Sequence, residues 1–234
     1  MIEVDEFVSK VSGIREALGM LGVDKDGLAA VLNDDQEWRK YQVNLPIGSR
    51  VGAVEIVQFE IDEATALGSI MRAALNEGRG RVWPGVYTGL TLDGDLWMSD
   101  TPDEIDDHMP MIHEAEKRGG RVLVNGLGLG MVVKALLDLP QVEHVDVVEL
   151  NKDVIDLVGP HYASERCTIH HANAFEVKWP EGTHWTAVWS DIWLPISPNN
   201  LPEIAQLRAK YADMADWHGL WSEDLIYSHW PELA

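Results

Sequence analysis

The segment Val122-Leu123-Val124-Asn125-Gly126-Leu127-Gly128-Leu129-Gly130, running into Met131-Val132-Val133, is the part of this chain whose residue types most clearly suggest chemistry. An apolar run ends in three glycines at alternate positions, and a second apolar run follows at once. Glycines placed so let the backbone turn sharply and bring bare main chain against a ligand at a helix N-terminus. Nineteen residues beyond Gly130, another apolar run ends in Val-Asp-Val-Val-Glu149. A carboxylate at such a strand end accepts hydrogen bonds from two ribose hydroxyls. Glycine turn and acidic strand end together predict a site for an adenosine-containing cofactor. A dinucleotide site would need a glycine at the sixth position, where Met131 stands.

Glycines at the first, third and fifth positions resemble motif I of the class I S-adenosylmethionine-dependent methyltransferase superfamily. Two later segments agree with that likeness. His171-Ala172-Asn173-Ala174-Phe175 matches the adenine loop after the third strand, and Trp185-Thr-Ala-Val-Trp-Ser-Asp191 matches the fourth strand, whose end faces the donor group. The likeness covers roughly residues 102–216. Asn125 and Asn173 stand where the superfamily carries acids. Upstream, Leu92-Asp93-Gly94, Trp97 and Asp103-Glu104-Ile-Asp-Asp107-His108 resemble the spermidine synthase branch, with Asp93, Gly94, Asp103, Glu104 and His108 in agreement. Trp97, Asp107 and Met109 replace that branch's Gln, Tyr and Glu, and only Asp191 remains of its double-Asp strand end.

The resemblance implies S-adenosylmethionine, or its decarboxylated form, as cofactor. It assigns Asn125, Gly126, Gly128 and Gly130 to the methionine end, Glu149 and Leu150 to the ribose, Asn173 and Ala174 to the adenine, and His108 to the methionine part of the donor. Asp191 is then the residue that orients or deprotonates the acceptor, with Trp97, Asp103 and Trp193 forming the acceptor wall. The reading is a transferase, with methyl transfer to a small molecule first and aminopropyl transfer to an amine second. A non-catalytic protein that keeps the fold is the alternative from another class.

The elements that must position these residues follow from periodicity. Phe7, Val11, Ile14, Leu18 and Leu21 make one helical stripe. Residues 1–45 read as helical, with a second short helix over Asp26–Leu32. Residues 51–61 read as a strand, Glu63–Asn76 as a helix, and Val86–Leu92 with Asp95–Ser99 as a hairpin about Asp93-Gly94. Thr101-Pro102-Asp103-Glu104 reads as a capping box opening a helix to Lys117. From Arg121 onward strands alternate with helices: Val122–Asn125, Met131–Leu139, Val145–Leu150, Asp153–Val158, Thr168–His171, Thr186–Asp191 and Leu201–Asp216. The fold class expected is α/β: a Rossmann-like, doubly wound, mostly parallel sheet with an N-terminal helical and β-hairpin extension. Residues 1–100 form the extension, a lid or dimer element, and 101–234 the cofactor-binding domain.

Composition narrows the partners. Eighteen Lys and Arg against 39 Asp and Glu leave 234 residues with a formal charge of −21, which disfavours nucleic acid and anionic membrane. A small-molecule acceptor, with amines among the candidates, suits that field. Hydrophobic residues at 46% argue for a packed core rather than disorder. The single cysteine, Cys167, excludes an intrachain disulfide framework and reads as a buried thiol. The acidic N-terminus and the lack of a long apolar run point to a cytoplasmic protein. Apolar N-terminal helices are compatible with a homodimer. The histidines lack metal-ligand spacing, so no metal is expected. Of ten tryptophans seven lie at or after position 179. Trp189 and Trp193 flank Asp191, where their faces would attract a cation, whereas Trp217, Trp221 and Trp230 read as packing residues.

Overall fold

The computed structural model describes residues 37–74, 80–221 and 223–233. The helices expected over Phe7–Leu21 and Asp26–Leu32 lie outside the described residues. A 3-10 helix at Glu37–Tyr41 leads into the first sheet. Residues 42–45, expected to be helical, are not. The buried Asp100 carboxylate accepts the Val43 and Thr88 N–H groups at 3.1 and 2.7 Å, which draws this segment across the sheet so that Val43 and Leu45 are buried.

That sheet is antiparallel and contains β1 (Arg50–Val51), β2 (Val54–Ile61), β3 (Gly85–Leu92) and β4 (Asp95–Ser99), in that order. The single strand expected over 51–61 is a hairpin instead. Gly52, at φ 57°, turns the chain where an added Cβ would lie 2.1 Å from the Asp153 carboxylate. The Asp93-Gly94 turn forms as expected, with φ of 51° and 90°, the left-handed angles a primed turn requires. Helix α1 (Glu63–Ala74) connects β2 to β3.

Helix α2 (Pro102–Arg118) starts with Pro102 in its first turn, where the missing N–H costs nothing. The capping box does not form. The Thr101 side chain makes no cap, and the Glu104 carboxylate reaches back to the Ser99 N–H and hydroxyl at 2.6 to 2.9 Å. The second sheet follows: β5 (Gly120–Asn125), α3 (Met131–Asp138), β6 (Val142–Glu149), α4 (Lys152–Val158), β7 (Cys167–His171), β8 (Ala187–Ser190), α5 (Leu201–Tyr211), β9 (His218–Leu220) and α6 (Glu223–His229). All five strands are parallel, in the order β7-β6-β5-β8-β9. This is the doubly wound α/β arrangement expected, and its topological switch lies between β5 and β8, where a crevice opens outside the carboxyl ends.

Helix α5 ends at Tyr211 rather than Asp216. The Trp185 N–H donates to the Met214 carbonyl and the Asp216 N–H to the Trp185 carbonyl, which pulls residues 214–216 beside the entry to β8. Strand β9 and helix α6 were not anticipated. The core is shared by both sheets: Ile56, Leu90 and Trp83 belong to one buried cluster with Ile105, Met111, Val122, Val124 and Leu136. Leu123, facing the other way, joins Trp185, Val188, Leu207 and Tyr211. Cys167 is buried, and burial with the nearby Asp146 charge pushes its thiol up to about 11. No described helix is long and apolar enough to cross a membrane.

Candidate functional site

A cavity of about 970 Å³ opens at the switch point. Its floor is made by the tips of β5, β6 and β8 and its far wall by α2. Glu149 ends β6, and both of its carboxylate oxygens are held by backbone: Oε2 accepts the Leu127 N–H at 2.8 Å and Oε1 the Asn151 N–H at 2.7 Å. Each oxygen retains lone pairs toward the cavity, so the group is oriented without being used up.

The three glycines stand at φ of 102°, 50° and 73°. Each also has a protein neighbour where a side chain would begin. A Cβ on Gly126 would meet the Asp191 carbonyl oxygen at 2.1 Å, one on Gly128 the Met98 sulfur at 2.2 Å, and one on Gly130 the Tyr162 ring at 2.1 Å. The Leu129 N–H points at the Met98 sulfur, 3.2 Å away, and the Tyr162 hydroxyl donates to the Leu129 carbonyl at 3.0 Å. Glycine is therefore required here for packing the turn against β4, Tyr162 and the β8 tip, whether or not a ligand is near.

Of the residues singled out in the sequence, Gly126, Gly128, Glu149, Leu150, Asn173, Ala174, His108, Asp191, Trp97, Asp103 and Trp193 line the cavity. Asn125 and Gly130 do not. The Asn125 side chain is fully buried against Ser190 and Tyr211, and Gly130 caps α3 beneath Tyr162. Asp103 also accepts the Gly80 N–H at 2.6 Å, and the Asn173 carboxamide oxygen turns its own loop by accepting the Phe175 N–H at 2.9 Å. Trp193 donates its indole N–H to Glu203 at 2.7 Å.

Glu104, Asp107, Trp189, Glu203 and Trp221 complete the wall. The signal for the first two was in the sequence: Asp103, Glu104, Asp107 and His108 recur at the helical period and so share one face of α2. Trp221 was read as packing, and it does pack on both core clusters. It also faces the cavity and donates to Asp107 at 3.1 Å. Nothing local marks that role, because it arises from the chain returning along β9. Trp217 stacks on Trp189, and Trp230 packs on the second cluster, as expected.

The charges are one-sided. Among the described residues no Lys or Arg lines the cavity, whereas six carboxyl groups do. Burial, with the charges of Glu104 and Asp107, pushes Asp191 up to about 8. Burial also lifts Glu104 to about 7, against the pull of its Ser99 hydrogen bonds and helped by Asp103 and Asp107. His108 Nε2 lies 3.6 Å from Asp191 Oδ2, and burial holds this imidazole down to about 4, so it is neutral. Its Nδ1 is buried without a hydrogen-bond partner. A cavity of this kind favours a cationic guest, which would relieve the crowded carboxyls and let Asp191 ionise. Among the described residues, no group of three or more His, Cys, Asp or Glu is arranged to hold a metal ion.

No family model matches the chain. A polyamine aminopropyltransferase of Agathobacter rectalis is 39% identical over 83 residues, which is 33% of this chain and 28% of that protein. The chain thus spans less than a third of the length of this curated relative. Among solved structures, a methylase from Haemophilus influenzae is 19% identical over 46% of this chain and 63% of its own, with a TM-score of 0.37. The spermidine synthase of Thermotoga maritima is 22% identical over 44% of this chain and 38% of its own, with a TM-score of 0.34. The aminopropyltransferase is of one of the two kinds the sequence resembles, the spermidine synthase branch.

Proposed function

We propose that this protein is an S-adenosylmethionine-dependent transferase that alkylates a cationic small molecule, with methyl transfer to an amine as the first reading. The observation that carries it is the Glu149 carboxylate, held by two backbone amides beside the Gly126–Gly128 turn at the edge of an acidic cavity. Bound there, an S-adenosyl sulfonium supplies an alkyl group on a positively charged leaving sulfur. The residues fit that group. Glu149 accepts from the ribose hydroxyls, Asn173 and Ala174 flank the adenine, and Gly126 and Gly128 present main chain to the methionine end. Asp191 takes the proton that the acceptor nitrogen must lose as it forms its new bond to carbon. Burial and the neighbouring carboxyls keep Asp191 protonated until a cation arrives; a cationic amine beside it lowers its pKa, and the ionised carboxylate accepts the proton the ammonium must give up to free its lone pair. Trp97, Trp189 and Trp193 line the cavity with aromatic surface, which excludes water and suits an ammonium.

A specific observation favours aminopropyl transfer as the second reading. Among the described residues the wall carries carboxyls and no Lys or Arg, a lining that suits a decarboxylated donor, which has no carboxylate to be repelled.

Calorimetric titration tests the reading. S-adenosylhomocysteine or methylthioadenosine binds and NADH does not. Glu149→Ala weakens that binding about a hundredfold, the loss of two charged hydrogen bonds, with an unchanged circular dichroism spectrum. Wild-type affinity in Glu149→Ala overturns the ribose assignment. Methylthioadenosine release from decarboxylated donor and putrescine selects the second reading, and binding without turnover of any amine selects the non-catalytic alternative.

A further inference from the structure

Beneath the cavity, four polar side chains from different elements form one buried chain. Tyr211 of α5 donates its hydroxyl to Asn125 Oδ1 at 3.3 Å, Asn125 of β5 donates Nδ2–H to Ser190 Oγ at 2.9 Å, and Ser190 of β8 shares a 3.0 Å hydrogen bond with His218 Nε2 of β9. The His218 ring then rests edge-on against the Tyr211 ring at 5.3 Å, which closes the circuit. Asn125, Ser190 and Tyr211 have no solvent exposure. Burying an amide and a hydroxyl gains little stability over apolar residues of the same shape, since each hydrogen bond nets only about 1 kcal/mol. What such a circuit does supply is one geometry.

That geometry is the one the site depends on. Asn125 and Ser190 are the last residues of their strands and stand opposite each other in the β5–β8 pairing. The next residues are Gly126 and Asp191. The Asp191 N–H donates to the Asn125 carbonyl at 2.9 Å, and the Asp191 carbonyl occupies the space over Gly126. We propose that Ser190, braced by Asn125 and His218, is a positioning residue that fixes the β8 tip and thereby aims the Asp191 carboxyl. The inference rests on the reading of Asp191 as the proton acceptor. Ser190 Oγ accepts from Asn125 and pairs with Nε2 of the half-buried His218, a neutral ring. Burial, with Arg208 nearby, holds it down to about 4.

Carboxyl-carbon NMR of the full-length protein tests this without any assay of turnover. The Asp191 midpoint reports how deeply its carboxyl is buried and its distance from the Glu104 and Asp107 carboxyls on α2; His108 on the same helix and Glu149 and Glu203 across the cavity also line this space. Ser190→Ala moves that midpoint by about half a pH unit or more, a threefold change in proton affinity, and Ser190→Thr restores it. An unchanged Asp191 midpoint in Ser190→Ala overturns the proposal, whatever its melting temperature. Should Ser190→Ala fail to fold, Asn125→Leu and His218→Gln, neither of which adds a charge beside Asp191, replace it, and unchanged midpoints in both overturn the proposal equally. Absence of S-adenosylhomocysteine binding by wild type defeats the functional reading alone, and leaves the Asp191 midpoint to decide this one.

Discussion

Asp191 is the residue at which the chemistry and the stability of this protein meet. Its carboxyl is about 22% exposed, at the cavity edge, with the carboxyls of Glu104 and Asp107 close by and, among the described residues, no Lys or Arg on the wall. The folded protein therefore holds the proton more tightly than the unfolded chain does. Since the folded value of about 8 lies above the ordinary 3.8, the contribution of Asp191 to folding is greatest below pH 4 and is lost as pH rises from 4 to 8. Replacing Asp191 with Asn removes that loss. Differential scanning calorimetry should show Asp191→Asn melting about 3–6 °C above wild type at pH 8, the effect of one or two kcal/mol in a chain of this size, and level with it at pH 4. The same variant should lose turnover far more than donor affinity, whereas equal losses would demote Asp191 to a binding residue.

Helix α5 joins the two sides of the cavity. Near its start, Glu203 accepts the Trp193 indole N–H, which fixes the loop after β8. Near its end, Lys210 donates to the carbonyls of Ala174 and Val177 at 2.7 and 2.8 Å, which fixes the loop after β7. Burial lowers the Lys210 pKa, so the ammonium is partly withdrawn from water where it makes these bonds. Lys210→Met keeps the aliphatic stem and removes the donors. Nucleoside affinity should fall about tenfold, and melting temperature by only about 2–4 °C. An unchanged affinity by calorimetry would show that the loop holds its shape alone. The alternation of strand and helix from residue 121 to 211 was legible because its strands are buried on both faces and so read as apolar runs. Strand β9 was not legible. It has three residues, and what makes it a strand is its pairing with β8 and the packing of Gly219, whose missing side chain leaves room for Trp189 and Trp217.

At the scale of the whole molecule, a formal charge of −21 is carried by a fold that buries some of its acids with great economy of partners. Asp146, in the middle of β6, is 1% exposed, and accepts from Arg121 at 2.6 and 3.0 Å and from Trp185 at 2.9 Å, with His170 Nε2 3.1 Å away. Burial by itself would push this carboxyl up, but Arg121, Trp185 and His170 outweigh it and hold it below the usual range. The stabilisation is present above pH 4 and is lost as pH falls through the depressed folded value. Asp146→Ala leaves a buried indole N–H and a guanidinium without their acceptor, at a cost of about 3 kcal/mol after allowing for the half-exposed Arg121. In urea titrations at pH 7 its midpoint should drop clearly below wild type, and the gap should close toward pH 3. A constant gap would show that the carboxylate's charge is immaterial.

Legible along the chain were the first four strands of the parallel sheet, the glycine turn, Glu149 at the neighbouring tip, and Asp191 after the fourth of those strands, because each follows from periodicity or from residue types within a short window. The acidic face of α2 was marked through its helical spacing. Tertiary packing alone set the sharing of one cavity by these pieces, the inward turn of Asn125 to Ser190, the place of Gly130 under Tyr162, and the return of Trp221 from the C-terminal segment to hold Asp107. The physical reason is that which side of a strand tip faces solvent, and which distant residue fills the space beside it, is set by packing between elements that are far apart in the chain.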